Sequence, residues 1–215
     1  MGVSARGLGV TGYFIFGAVY AFAAAVQPGP FLAYLVSQSL SVGWRRTLPA
    51  ALAPLVSDGP IIVLVLFVLN HLPASALEWL RCAGGVLLLV LAARAFRTWR
   101  DWRGEGADVK PSARRSVVSA ALVNLLNPGP YLGWSLVMGP LVLKGWREAP
   151  AHGIALMVGF YATMVLSLAG IIVLFGVARN LGEKVGRALV GASAAALALF
   201  GCYQLWMGAG ALLGR

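Results

Sequence analysis

The sequence predicts an all-α integral membrane protein with six transmembrane helices, built as two inverted three-helix repeats whose first helices are both broken. Three observations predict this. Of 215 residues, 60% are hydrophobic and 11% charged, whereas a soluble domain is about half apolar and a quarter charged. Apolar runs long enough to cross a bilayer, about 20 residues each, recur along the chain. The tripeptide Pro-Gly-Pro occurs twice, at Pro28-Gly29-Pro30 and Pro128-Gly129-Pro130, each time inside a long apolar stretch.

The six apolar runs cover 10–40, 47–70, 76–96, 115–142, 150–178 and 187–212. As one straight helix the first would measure about 45 Å, against a hydrocarbon core of about 30 Å. Proline lacks an N–H and clashes with the carbonyl four residues back, so two prolines astride a glycine interrupt a helix. A run broken at Pro28 need not overshoot the bilayer. Arg6, the following apolar run and Ala23-Ala24-Ala25 resemble a signal peptide with a small-residue cleavage site. The run continues past the break to Leu40, however, and its second-half counterpart cannot be removed, so a retained first helix is expected.

The repeat is visible by eye. PGPFLAYL at 28–35 pairs with PGPYLGWS at 128–135, and GWRRTLPA at 43–50 pairs with GWREAPA at 145–151. More weakly, Arg81, Gly84 and Trp99 match Arg187, Gly191 and Trp206. One membrane domain is therefore expected to comprise a first repeat over 1–100, a linker over 101–112 and a second repeat over 113–215. Each repeat has an odd number of helices, so the second enters the membrane from the opposite side. Repeats of this kind place a transport path at their interface near the midplane.

Charge sets the orientation. The links after helices one, three and five hold twelve Lys and Arg residues, from Arg45 and Arg46 through the run over 94–115 to Arg179, Lys184 and Arg187. The other side has five, namely Arg6, Arg81, Lys144, Arg147 and Arg215. By the positive-inside rule, both termini are extracytoplasmic and the 94–115 loop is cytoplasmic. The net charge of +10 is then topogenic first, with anionic-lipid binding by the 94–115 run as a secondary reading and no nucleic-acid partner. Trp44, Trp79, Trp99, Trp102, Trp146 and Trp206 fall near helix ends, as interfacial aromatics do. Trp134, one turn past the second break, does not.

Each break frees backbone groups. Pro28 and Pro30 cannot satisfy the carbonyls of Ala24 and Val26, and Pro128 and Pro130 leave those of Asn124 and Leu126. The half-helices restarting at Phe31 and Tyr131 present N-termini suited to a carboxylate, while the freed carbonyls suit an ammonium or a cation. A small zwitterion could use both; the competing reading is a pair of packed proline kinks. Asp58 is the acid well inside a predicted span. Placing a carboxylate there costs about 2.5–3.5 kcal/mol on insertion scales, and such residues serve proton relays, ion pathways or counter-ions. The alternative is a local bond to backbone beside Gly59-Pro60. Asn127, with Asn124 a turn earlier, stands where the first half has Gln27; these amides could hold substrate or bind freed backbone.

Ser37, Gln38, Tyr161 and Thr163 could line a path, although isolated hydroxyls and amides more often join helices. His71 and His152 fall at outer helix ends, where solvent is expected to reach them, and no third ligand accompanies them for a metal. Cys82 and Cys202, at no ligand-like spacing, are expected to pack as small apolar residues. No nucleophile–base pair, phosphate loop or paired intramembrane carboxylate suggests an enzyme, and no motif calls for a cofactor.

The segments PGPFLAYLVSQSLSVGWRR, LRCAGGVLLLVLAARAFR and NLLNPGPYLGW, together with Asp58 in the second helix, resemble the lysine-exporter (LysE) superfamily, in the branch of RhtB-type homoserine/threonine exporters. The resemblance covers most of the chain. It implies a bacterial inner-membrane protein that exports amino acids or related small metabolites, driven by the proton gradient. On that pattern Pro28, Gly29, Pro30, Asn127 and Pro128 form the core of the site. The chain has Gly129 where the more usual motif, Asn-Pro-Lys, has lysine.

The expected partners are thus a small zwitterionic or anionic metabolite, the proton and the bilayer, with a path through Pro28, Gly29, Pro30, Asp58, Asn124, Asn127, Pro128, Gly129 and Pro130. Homodimerisation is a further hypothesis with no decisive residue behind it. A cation or metal exporter of the same superfamily is the alternative, although it would want several converging carboxylates or thiolates. A thiol or electron carrier would want a cysteine in each break, and a non-transporting scaffold would not need two breaks.

Overall fold

The computed structural model describes residues 9–67, 75–101, 113–178 and 183–213, and among these there are helices and no strands. Most of the 101–112 linker, with Trp102, Arg103 and Lys110, lies outside the described residues, as do Arg6, His71, Arg179 and Arg215.

The first apolar run is two helices, α1 (Val10–Val26) and α2 (Pro30–Val42), bent by 66° at the first Pro-Gly-Pro. α2 stops at Gly43, whose φ of 93° lies in the left-handed region that a side chain would disfavour. α3 (Trp44–Thr47) then leads through a 3₁₀ turn at Leu48–Leu52, which holds Pro49, into α4 (Ala53–Phe67). α5 spans Ser75–Arg100, and α6 (Ala113–Leu125) ends at the second break. Beyond it, α7 (Pro128–Gly133), a π-helical turn at Trp134–Met138 and α8 (Gly139–Glu148) form one interrupted rod, followed by α9 (Pro150–Ala178) and α10 (Glu183–Leu213).

Proline explains the π turn. Pro140 has no N–H to offer Leu136, and the Gly139 N–H instead bonds the Trp134 carbonyl five residues back. Among the described residues, four helical segments are long and apolar enough to cross a membrane, Trp44–Val65 counting as one, and the bent α1–α2 pair makes a fifth. The run expected over 115–142 is not one rod. α6 is a shorter apolar helix, and the remainder is shared among α7, the π turn and α8.

Helices pair where small residues let backbones meet. α1 packs along α9. A Cβ on Gly17 would strike the Leu156 carbonyl, and one on Gly159 would strike the Phe14 carbonyl. α5 packs along α10, with Gly85 facing the Gly201 carbonyl, and α4 packs against α6. Backbone oxygens cannot swing aside as side chains do. Gly159→Leu is therefore expected to cost about 3 kcal/mol or more, read as loss of monodisperse protein after detergent extraction, whereas Gly170→Leu, where nothing lies within 4 Å, should extract normally.

Leu136, Leu166 and Leu199 are each more than 70% exposed, as expected of side chains that face lipid. Trp79, Trp146 and Trp206 are also exposed, while Trp134 is buried. One end of the α1–α9 seam is polar. The buried Tyr13 hydroxyl donates to Glu148 Oε2 at 3.0 Å, and its ring stacks on His152 at 4.9 Å. His152 is thus mostly covered, its side chain 20% exposed, where a solvated helix end was expected. Packing against the α1 aromatic removes it from solvent.

Candidate functional site

The two Pro-Gly-Pro motifs start their helices at different residues, for a local reason. In the second half Asn127 is the N-cap, and its Oδ1 accepts from the Gly129 N–H at 3.2 Å, so α7 begins at Pro128. Gln27 is a poor cap, one methylene too long for that turn. In the first half the N-cap falls to Gly29, which has no side chain to contribute, and α2 begins two residues later, at Pro30.

The breaks therefore differ in what they leave open. At the second, the Asn124 carbonyl accepts from the Asn127 N–H at 3.2 Å, and the Leu125 carbonyl accepts from the Tyr131 hydroxyl at 2.9 Å. At the first, no described residue bonds the carbonyls of Ala24 and Val26, and among the described residues the first-turn N–H groups of Phe31 and Leu32 have no acceptor. At the second break Asn127 and Tyr131 thus bond part of the freed backbone, whereas among the described residues the first break has no such side-chain partner. Asn127→Ala should cost about 1 kcal/mol, seen as a fall of about 2–4 °C in the unfolding midpoint in detergent. Asn127→Asp keeps the acceptor and should retain most of that stability.

Asp58 sits at the meeting of α4, α6 and the π turn and is only 3% exposed. Asn124 Nδ2 donates to Asp58 Oδ1 at 3.1 Å and to Ser57 Oγ at 2.8 Å, while Ser57 donates to the Ala53 carbonyl at 3.0 Å. Trp134 Nε1 approaches Asp58 Oδ2 at 3.4 Å, and Tyr161 is near enough to interact electrostatically with the carboxylate. The neighbours in these contacts are neutral. Asp58 and Asn124, 66 residues apart in sequence, thus form one polar node, and the bonds of Asp58 run to side chains rather than to backbone beside Gly59-Pro60.

A cavity of about 200 Å³ opens onto this node and onto both interruptions. Pro28, Gly29 and Pro30 line it from the first break; Asn127, Gly129 and Pro130 line it from the second; Asp58 and Asn124 complete the polar part. Of the nine residues expected to form the path, Pro128 alone is off its surface. Ser37, Gln38, Tyr161 and Thr163 do not line it; nearby, Ser39 instead joins helices, its hydroxyl donating to the Ile172 carbonyl at 2.5 Å.

Sequence reasoning assigned no role to the opposite wall. Phe160, Met164 and Leu168 stand at four-residue intervals on one face of α9, and Trp134 and Met138 reach in from the π turn. The Trp134 and Phe160 rings meet edge to face at 5.6 Å. A four-residue apolar stripe reads in sequence as core. Only the placement of Trp134 away from every helix end marked this wall.

These features define a class: an all-helical, multi-pass membrane protein with a cavity where two interrupted helices meet. The LysE type translocator family matches residues 22–208, and the chain belongs to that family of membrane transport proteins. No curated protein and no solved structure matches the chain.

Proposed function

We propose that this protein is a secondary transporter that exports a small zwitterionic metabolite across the bacterial inner membrane by proton antiport, with Asp58 as the proton carrier. The observation that carries this reading is the common cavity: both interruptions and one buried carboxylate open onto it. In this reading the free N–H groups of Phe31 and Leu32 receive the substrate carboxylate, aided by the helix dipole. Asp58 receives either the substrate ammonium or a proton. Because one carboxylate serves both, the two cargoes exclude each other, as antiport requires.

Six membrane-crossing segments in two inverted repeats, 1–100 and 113–215, complete the proposal. The helix pairings support it. Exchanging the repeats turns the α1–α9 pairing into α6–α4 and maps the α5–α10 pairing onto itself, and each of these pairs is in contact. Rocking of one repeat against the other would then expose the cavity alternately, with both termini outside and the basic 94–115 segment inside.

Proteoliposomes loaded with labelled amino acids test the reading. Efflux should accelerate when the outer medium is made acidic relative to the lumen. Efflux indifferent to the pH difference would remove proton antiport, and no efflux of any amino compound would remove the function.

A further inference from the structure

The cavity wall also selects among zwitterions. We propose that the preferred cargo is a neutral amino acid with a large apolar side chain, aromatic or long aliphatic, and that basic and acidic amino acids are rejected. This inference rests on the reading that the cavity holds the transported molecule.

Charge gives the first reason. Among the described residues lining the cavity, Asp58 is the only charged one; no Lys, Arg or His joins it. One ammonium matches one carboxylate. A second cation, as on lysine or arginine, would lie against apolar side chains with no counter-charge, at a heavy desolvation cost. A second carboxylate, as on glutamate, would share the cavity with Asp58, with no cation on its lining to offset the repulsion.

The wall gives the second. Phe160, Met164 and Leu168 form a continuous apolar strip on α9, and Met138 faces the cavity from the π turn. Two of these four are methionines, which adapt their shape to different apolar guests. Trp134 joins the two regions, since its indole N–H approaches Asp58 while its ring packs on Phe160. A substrate whose ammonium pairs with Asp58 would therefore have its side chain directed along the strip. Glycine or alanine has little or no side chain to set against that strip and forgoes those contacts.

Competition against labelled leucine counterflow in proteoliposomes of the wild-type protein tests this. Leucine, methionine and phenylalanine should each compete at least about tenfold better than glycine, lysine or glutamate, the scale on which an apolar pocket discriminates. N-acetylphenylalanine, which keeps the ring but lacks the ammonium, should lose at least about tenfold against phenylalanine. Lysine or glutamate competing as well as leucine, or the acetylated compound as well as its parent, would overturn the inference while leaving amino-acid transport standing. The same holds if labelled leucine shows no counterflow while labelled lysine, glutamate or glycine does. Absence of counterflow with every one of these labels would overturn the functional reading itself.

Discussion

Asp58→Asn abolishes pH-driven export in this account, by about 100-fold or more, the scale on which removal of a positioned proton-transfer group is felt. The protein should remain folded. The new side chain can keep its carbonyl oxygen toward Asn124 Nδ2, which now bonds Oδ1 at 3.1 Å. Its amide then faces Trp134 Nε1, so one long contact of 3.4 Å becomes a meeting of two donors. Losing a weak bond is a small cost, and the variant no longer buries an ionisable group. Extraction yield and unfolding midpoint should therefore stay at or above wild type. Substrate–substrate exchange moves no net proton but still loses the ammonium's partner, so it should fall about tenfold, less than pH-driven flux. Undiminished driven flux in Asp58→Asn, with efflux still sensitive to pH, would assign the proton to another group.

The second large effect concerns the first break. Pro28→Ala restores an N–H four residues after Ala24, whose carbonyl lacks a described partner. Pro28 lies in the break between α1 and α2, and alanine there is a far better helix former, so the variant should gain thermal stability as α1 extends toward Pro30 and the 66° bend relaxes. Flux should fall at least about tenfold, because the bare Phe31 and Leu32 N–H groups lose their place on the cavity. A rise in stability with a fall in activity is the signature of a break kept for function. A kink serving only packing would give the opposite pair, destabilisation with flux per folded molecule unchanged. Pro128→Ala should act more weakly, since Pro128 occupies the first turn of α7, where its missing N–H is least costly.

Much of this was legible in the sequence because membrane chains have few ways to satisfy their backbone. Apolar run length marked the chain as all-helical and gave four of its spans with the bent pair as a fifth, and the duplicated Pro-Gly-Pro marked the interruptions after Val26 and Leu125. Asp58 stood out because an acid in such a run is costly. What the sequence hid was non-local. The Asn124–Asp58 bond depends on α4 and α6 lying side by side, and nothing in either segment encodes the other's position. The difference between the two breaks turned on a single methylene, Gln27 against Asn127, and on which residue thereby becomes the cap. The π turn at Trp134–Met138 had a signal in Gly139-Pro140, but a proline near a helix start is also compatible with an ordinary helix. The apolar wall of Phe160, Met164 and Leu168 was invisible as a site, since core and binding stripes share one periodicity.

The most direct measurement is side-specific labelling of single cysteines at Gly29 and Gly129, in a background with Cys82 and Cys202 replaced. Both positions tolerate a Cβ, with no neighbouring atom closer than 3.4 Å, and both line the cavity. A membrane-impermeant maleimide should modify both cysteines, and one transported amino acid should protect both together, since the two breaks share one wet chamber. Cysteines that resist the impermeant reagent but react with a lipid-soluble one, or substrate protection of one position without the other, would contradict the account.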